Sequence, residues 1–392
     1  MEKVKTAVVG CGVISNVYIR NLKNLFHIID LRAVANRSPE AAREKAALYG
    51  IDRVMTVDEV AASPDIELVV NLTPTGAHYG VIRQMLEAGK HVYTEKMLTA
   101  TLEQADEVVA LADGRSLYLG VAPDTVLGAG IQTARKLIDT GMIGRVTSAV
   151  ACINRDQCLN SEHFRFLRGD GGALPYDVGP YYIAALLALL GPVKSVCGFG
   201  VPAPVHKAQL LMGTDEMERW QIPGNNLTAG VLQFASGALG SIHFDGNTIG
   251  ETKHVLTIYG TEGILELGDP NCFDGEVRLT RAEGGSCVVP HTHGYNGKPT
   301  LPDATQWEHI YGHRGIGVAE MAWAIRTGRP NRCSKELGYH VMEVLIGMDR
   351  AAASGSTYQL HSTFEMKPLR SGYYSTMGGG SMRADAERSL IE

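Results

Sequence analysis

From Val4 to about residue 123, short runs rich in β-branched residues alternate with stretches whose apolar residues recur every three or four positions. That alternation is the mark of βαβ units building a parallel sheet. It predicts strands at Lys5 to Val9, Leu31 to Ala35, Leu68 to Leu72, His91 to Thr94 and Ser116 to Gly120. Helices are predicted between them, at Asn16 to Leu25, Pro39 to Tyr49, Ala77 to Ala88 and Leu102 to Asp113. The last two run into Gly89 and Gly114, a residue type at which helices commonly stop. The first third of the chain therefore reads as α/β, a doubly wound parallel sheet.

Beyond a helix from about Gly128 to Thr140, closed by Gly141, the pattern changes to longer strands with fewer helices. Thr228 to Phe234 and Ala238 to Phe244, separated by Ala-Ser-Gly, predict one hairpin. Val255 to Tyr259 with Ile264 to Leu267 predicts another. This part reads as an α+β domain with a large, mainly antiparallel sheet. Helices at Ile316 to Arg326 and Leu337 to Ala353 are expected to pack on that sheet. A chain of 392 residues outgrows a single hydrophobic core. We divide it into residues 1–124, residues 125–370, and a tail at 371–392 whose glycine run and lack of apolar period predict mobility.

Composition narrows the function classes. The 36 basic and 42 acidic residues leave a formal charge of −6 with no basic stripe, so a nucleic-acid partner is not expected. No apolar stretch reaches membrane-spanning length, and no signal-peptide pattern precedes the first strand, so a cytoplasmic protein is expected. The seven cysteines are scattered without a C-x-x-C pair and are expected to be free thiols in packed positions. His291-Thr-His293 lacks a third ligand in reach and reads better as a solvated loop, and we assign no metal.

Gly10-Cys-Gly12-Val13-Ile14-Ser15 follows the first strand and opens the first helix, the setting in which a G-x-G-x-x-G-like turn binds a dinucleotide. The first glycine allows the tight turn, the second lets backbone approach a pyrophosphate, and the helix start supplies amides. Ser15 stands where a third glycine is usual. This is a Rossmann signature, with NAD or NADP as cofactor. The second strand ends in Asn36-Arg37-Ser38, not in the acidic residue that selects NAD. Arg37 and Ser38 could hold a 2′-phosphate, or Arg37 could cover the adenine while Asn36 bonds the ribose.

Thr73-Pro74 with His78 follows the third strand, and Glu95-Lys96-Met97 follows the fourth. Both stand at carboxyl ends of parallel strands, where open α/β sheets bind ligands. That puts Lys96 near the nicotinamide, whose positive charge should disfavour the ammonium and let the lysine polarise or deprotonate a hydroxyl.

These motifs, with Ala88-Gly89-Lys90-His91-Val92-x-x-Glu95-Lys96, Gly141-x-x-Gly144 and Tyr259-Gly260-Thr261-Glu262-Gly263, resemble the glucose-fructose oxidoreductase / inositol dehydrogenase family, Gfo/Idh/MocA. The resemblance covers about residues 4 to 367. It implies oxidation of a secondary hydroxyl on a sugar, glycoside or cyclitol, with Lys96 assisting proton transfer. It also implies a homodimer or homotetramer joined through the large sheet. Two departures stand out. Met97 replaces the proline of the family's Glu-Lys-Pro motif. The family's Asp-x-Gly-x-His corresponds here to Asp177-Val-Gly179-Pro-Tyr181, so a tyrosine occupies the histidine's place.

Lys96, Asp177 and Tyr181 are thus the candidate catalytic residues, with Tyr181 either an acid/base or a wall of the site. Tyr182, Asp124, Arg155 and His163 join Asp177 and Tyr181 as candidate substrate-binding residues, Asp124 being alternatively a helix cap. His313-Arg314 reads better as a surface pair at a helix start. The pairing of Tyr181-Tyr182 with Asp269-Pro270-Asn271 resembles a subgroup of bacterial dehydrogenases. Two other readings remain open: an NAD-dependent glycosidase working by transient C3 oxidation and elimination, and a non-catalytic NAD(P)-binding sensor.

Overall fold

In the computed structural model the described residues are 1–209, 217–249, 253–295, 312–370 and Leu390. The first domain holds β1 (Val4–Val9), α1 (Ser15–Asn24), β2 (Ile29–Ala35), α2 (Pro39–Tyr49), β3 (Arg53–Met55) and α3 (Val57–Ala62). It continues through β4 (Leu68–Asn71), α4 (Thr75–Glu87), β5 (His91–Thr94), α5 (Leu102–Gly114) and β6 (Leu119–Val121). Its strands lie in the order β3-β2-β1-β4-β5-β6, all parallel. That is the doubly wound Rossmann order, whose topological switch point lies between β1 and β4. Parallel strands are covered on both faces, which is why every residue of Leu68–Asn71 is buried.

After β6 come a 3₁₀ turn at Asp124–Leu127, α6 (Ala129–Asp139), β7 (Val146–Asn154), α7 (Gln157–His163), α8 (Leu174–Asp177) and α9 (Gly179–Leu190). Then come β8 (Val193–Pro202), β9 (His206–Gln209), β10 (Met217–Trp220), β11 (Asn225–Phe234) and β12 (Leu239–Asp245). After these follow β13 (Lys253–Gly260), β14 (Gly263–Leu267), β15 (Val277–Arg281), β16 (Gly285–Val288), α10 (Ile316–Thr327), α11 (Lys335–Ser354) and β17 (Tyr358–Gln359). Nine strands form one sheet, β16-β15-β14-β13-β7-β12-β11-β8-β17, antiparallel except for the β12–β7 pair. β9 and β10 form a separate hairpin. The apolar α9 is buried around its whole circumference, filling the space beneath this sheet.

Three expectations need correction. The helix at Ile316–Thr327 packs on β6 of the first sheet, not on the second. Its Gly317 leaves no room for a Cβ beside Tyr93 and Asp124, so the contact is a close backbone approach that no side chain would permit. Cys197 and Cys287 are exposed, the first on the open face of β8 and the second on the edge strand β16, all four residues of which are exposed. His293 is buried against the Leu369 carbonyl, not solvated. Residues 371–389 and 391–392 of the proposed mobile tail lie outside the described residues, whereas Leu390 is buried with its carbonyl accepting from Arg329. No helix among the described residues is long and apolar enough to cross a membrane.

Candidate active site

The order β1-β4-β5 brings three loops to one edge of the parallel sheet. Gly10 opens the first with φ of 103°, and a Cβ there would stand 2.6 Å from the Leu72 carbonyl carbon. Only glycine makes that turn. Ser15, buried at the third glycine's position, donates its hydroxyl to the Gly12 carbonyl at 2.6 Å and tightens the same turn. Gly12 meets nothing within 4 Å of an added Cβ, and Val13 is exposed. Ile14 makes no side-chain cap for α1, and the amides of Gly12, Val13 and Ile14 have no acceptor among the described residues. An open approach over unpaired amides at a helix start is what a dinucleotide pyrophosphate requires, so the turn fits the cofactor.

The neighbouring residues divide into those that face outward and those that build the frame. Arg37 is exposed. Ser38 donates to the carboxylate of Glu40 in the first turn of α2, an acid that the sequence does not mark out. The Asn36 side chain is spent on the frame: Oδ1 accepts from the Cys11 amide and Nδ2 donates to the Ser38 carbonyl. Thr73 donates to Asn71 Oδ1, and Pro74 opens α4. His78 is buried with one ring nitrogen at the Thr73 carbonyl and the other at the Met97 carbonyl. It staples the β4 loop to the β5 loop.

Glu95 is likewise a brace, accepting from the Tyr18 hydroxyl at 2.7 Å and from the Lys96 amide. Tyr18, on α1, was not anticipated. The Lys96–Met97 peptide bond is cis, so methionine adopts at this place a form ordinarily associated with proline.

Lys96 Nζ donates to the Asp177 carboxylate at 2.9 Å and to the Asp177 carbonyl at 2.8 Å. The other carboxylate oxygen accepts from Arg155 at 2.8 Å and from Gln157 at 3.1 Å. Gln157 opens α7 and was also missed. Burial works hardest against charge on Lys96, but Asp177, Tyr181 and Glu95 together outweigh it and hold the ammonium above its ordinary range. For Asp177, burial is likewise overcome, by Lys96 and Arg155, and the carboxyl is held below its usual range. This corrects the expected amine: in this geometry Lys96 is a charged donor, because a carboxylate answers it.

Tyr181 lies with its ring centroid 5.8 Å from Lys96 Nζ. It is 8% exposed, and no side chain among the described residues hydrogen-bonds its hydroxyl. Burial pushes the phenol up, while Arg314 and Lys96 pull it down, and the balance stays above the ordinary value. Lys96, Asp177, Arg155 and Tyr181 thus form one constellation. Tyr182 does not belong to it: fully buried, it packs on Phe244 and donates to Asp269. Asp124 is also fully buried, with Oδ2 accepting from the amides of Gly315 and Gly317, so it anchors the start of α10. His163 is exposed at the end of α7, outside the constellation. His313 and Arg314 are each 2% exposed, not a surface pair.

Comparison with known proteins adds two family matches. Residues 4–122 match the Oxidoreductase family, NAD-binding Rossmann fold, and residues 131–266 match the GFO/IDH/MocA C-terminal domain. The chain belongs to the Gfo/Idh/MocA family. An uncharacterized oxidoreductase of Schizosaccharomyces pombe is 31% identical over 203 residues, covering 50% of this chain and 54% of that protein. The scyllo-inositol 2-dehydrogenase (NADP(+)) IolW of Bacillus subtilis is 27% identical over 197 residues, with 50% and 54% covered. The chain thus spans about half the length of the curated relatives it matches. Among solved structures, levoglucosan dehydrogenase in complex with NADH and L-sorbose has a TM-score of 0.78 at 21% identity, covering 92% of this chain and 99% of that one. That likeness is one of fold. The Gfo/Idh/MocA chain shares that two-domain architecture over the part the comparison covers.

Proposed function

We propose that the protein is an NAD(P)-dependent oxidoreductase acting on a secondary hydroxyl of a sugar, glycoside or cyclitol. The observation that carries this reading is the Lys96 ammonium, fixed by Asp177 beside Tyr181 at the sheet edge that bears the dinucleotide loop. A bound nicotinamide supplies the hydride acceptor or donor. Lys96 then donates to the substrate oxygen, where negative charge develops. Tyr181 exchanges the proton: its phenol gives one to a carbonyl oxygen undergoing reduction, and its phenolate takes one from an alcohol undergoing oxidation. Because burial keeps the phenol protonated, reduction is favoured near neutrality and oxidation as the pH rises.

Relatives named for scyllo-inositol and levoglucosan support a polyhydroxylated substrate. Arg37 favours a 2′-phosphate and the Glu40 carboxylate opposes one, so NAD and NADP are both retained as cofactors. One face of the nine-stranded sheet leaves Phe199, Val201, Val231 and Val255 exposed, spread across β8, β11 and β13, which supports a homodimer or homotetramer. Sugars, glycosides and cyclitols should be assayed with NAD and NADP, following reduced-nicotinamide absorbance and aglycone release together. We expect net cofactor turnover, lost by about 10²-fold or more in Lys96→Met with dinucleotide affinity retained. Aglycone release without net cofactor change would identify a glycosidase instead, and dinucleotide binding without any turnover would identify a sensor.

A further inference from the structure

Arg314, just before α10, is almost fully buried, and its guanidinium carbon lies 5.1 Å from the Tyr181 ring centroid and 5.4 Å from that of Phe273. It forms no ion pair with a carboxylate among the described residues. Instead it donates to the Asn271 carbonyl at 3.1 and 3.2 Å and to Asn271 Oδ1, while its Nε is buried without a partner among the described residues. Asn271 is itself fixed, its amide donating at 2.9 Å to the Asp269 carboxylate that also accepts from Tyr182. The Asp-Pro-Asn turn and the second tyrosine of the pair therefore serve one end: they hold a buried cation against Tyr181.

Burying a guanidinium with an unsatisfied N–H is costly, and an apolar residue of similar size would fill the gap between Tyr181 and Phe273 more cheaply. The charge needs a use. We infer that Arg314 is the positioning residue that lets a tyrosine carry the proton here, by holding positive charge against the Tyr181 ring so that its phenolate becomes accessible. The inference rests on the reading of Tyr181 as the acid/base. The charged groups that face Tyr181 are Arg314 and Lys96, which favour the phenolate, and Glu95 and Asp177, which oppose it. Arg314 is the stronger of the two cations in this balance. Without it, burial and the two acids are left to Lys96 alone.

The test is a titration that needs no substrate. Phenolate absorbance is followed against pH in the full-length protein and in Tyr181→Phe, and the difference reports Tyr181. The same pair is then measured in Arg314→Gln and Arg314→Lys backgrounds. We expect the Tyr181 midpoint to rise by about one pH unit or more in Arg314→Gln and to return toward the original in Arg314→Lys. The basic rise of kcat/KM for alcohol oxidation should move with it, so that activity at a fixed pH on that limb falls about tenfold for each pH unit the midpoint climbs. An unmoved midpoint, no phenolate in the parent protein before it unfolds, or an equal loss at every pH without displacement of the limb would each overturn the inference. If the titration moves as expected but Tyr181→Phe keeps its pH limb, the acid/base reading of Tyr181 fails while the electrostatic coupling stands. Dinucleotide affinity, measured in parallel, should be the same in all variants.

Discussion

Replacing Asp177 by asparagine removes one charge at almost no change in volume. In the parent protein the carboxylate answers Lys96 at 2.9 Å and Arg155 at 2.8 Å, with side-chain exposures of 15% for Asp177, 17% for Lys96 and 26% for Arg155. Asparagine keeps an acceptor for Lys96, but turns an N–H toward the donors of Arg155 and Gln157. Stripping one partner from a buried ion pair costs roughly 3–5 kcal/mol. Here the partners keep some contact with water, which lowers the expected cost to about 2–3 kcal/mol. The sign with pH follows from the carboxyl being held below its usual range in the folded state. Its contribution is fully present above the unfolded carboxyl's range, and is lost as pH falls through the folded value.

Urea unfolding of Asp177→Asn followed by far-ultraviolet circular dichroism should therefore show a deficit at pH 7 that narrows toward the acid limit of the fold. Turnover should drop about 10²-fold or more with dinucleotide affinity unchanged, since Lys96 loses the group that orients it. A variant with the parent midpoint at pH 7, or with full turnover, would refute the claim that this carboxylate organises the constellation.

Two further outcomes test how the frame is held. Glu320 on α10 is fully buried between Arg329 and Arg332, so Glu320→Gln should cost roughly 3–4 kcal/mol in urea unfolding; a loss under 1 kcal/mol would rule that out. His340 is buried with Nε2 accepting from the Val193 amide and Nδ1 facing Ser362, and burial lowers its pKa to about 4. Its folded value lies below the unfolded one, so its contribution is present above pH 6.5 and is lost as pH falls from 6.5 to about 4, by up to roughly 3 kcal/mol. His340→Gln should flatten that stretch of the stability profile, and an unchanged slope would show that the ring charges without penalty.

The Rossmann half was legible because its signals are local. β5 and α2 have in the structure the bounds their sequence pattern predicts, and α2 ends at Gly50, which takes φ of 61°. α3 was missed although Thr56 and Glu59 form a capping box, because six residues carry too little apolar period. β8 was missed because Phe199 and Val201 put apolar residues on its open face and hid the alternation.

The site divides in the same way. Lys96, Arg155 and Asp177 belong to sequence-local motifs or their flanking loops, but Arg314 meets Tyr181 across more than a hundred residues of chain, and a charged pair before a helix ordinarily faces water. Asp124 shows the converse. Its position after β6 suggested a ligand to substrate, while its partners, the amides of Gly315 and Gly317, lie nearly two hundred residues away.

The placement of α11 constrains how such a molecule can breathe. Gly338 brings one end of this helix against Val121 of the dinucleotide domain, and Gly347 brings the other against Val196 and Tyr358 of the nine-stranded sheet. A single rigid rod is thereby seated in both lobes, nine residues apart, while the backbone also crosses between them after β6. Prising the lobes apart would have to unseat one end of the rod. Exchange of small molecules at the cleft then falls to the loops around it rather than to a parting of the two lobes.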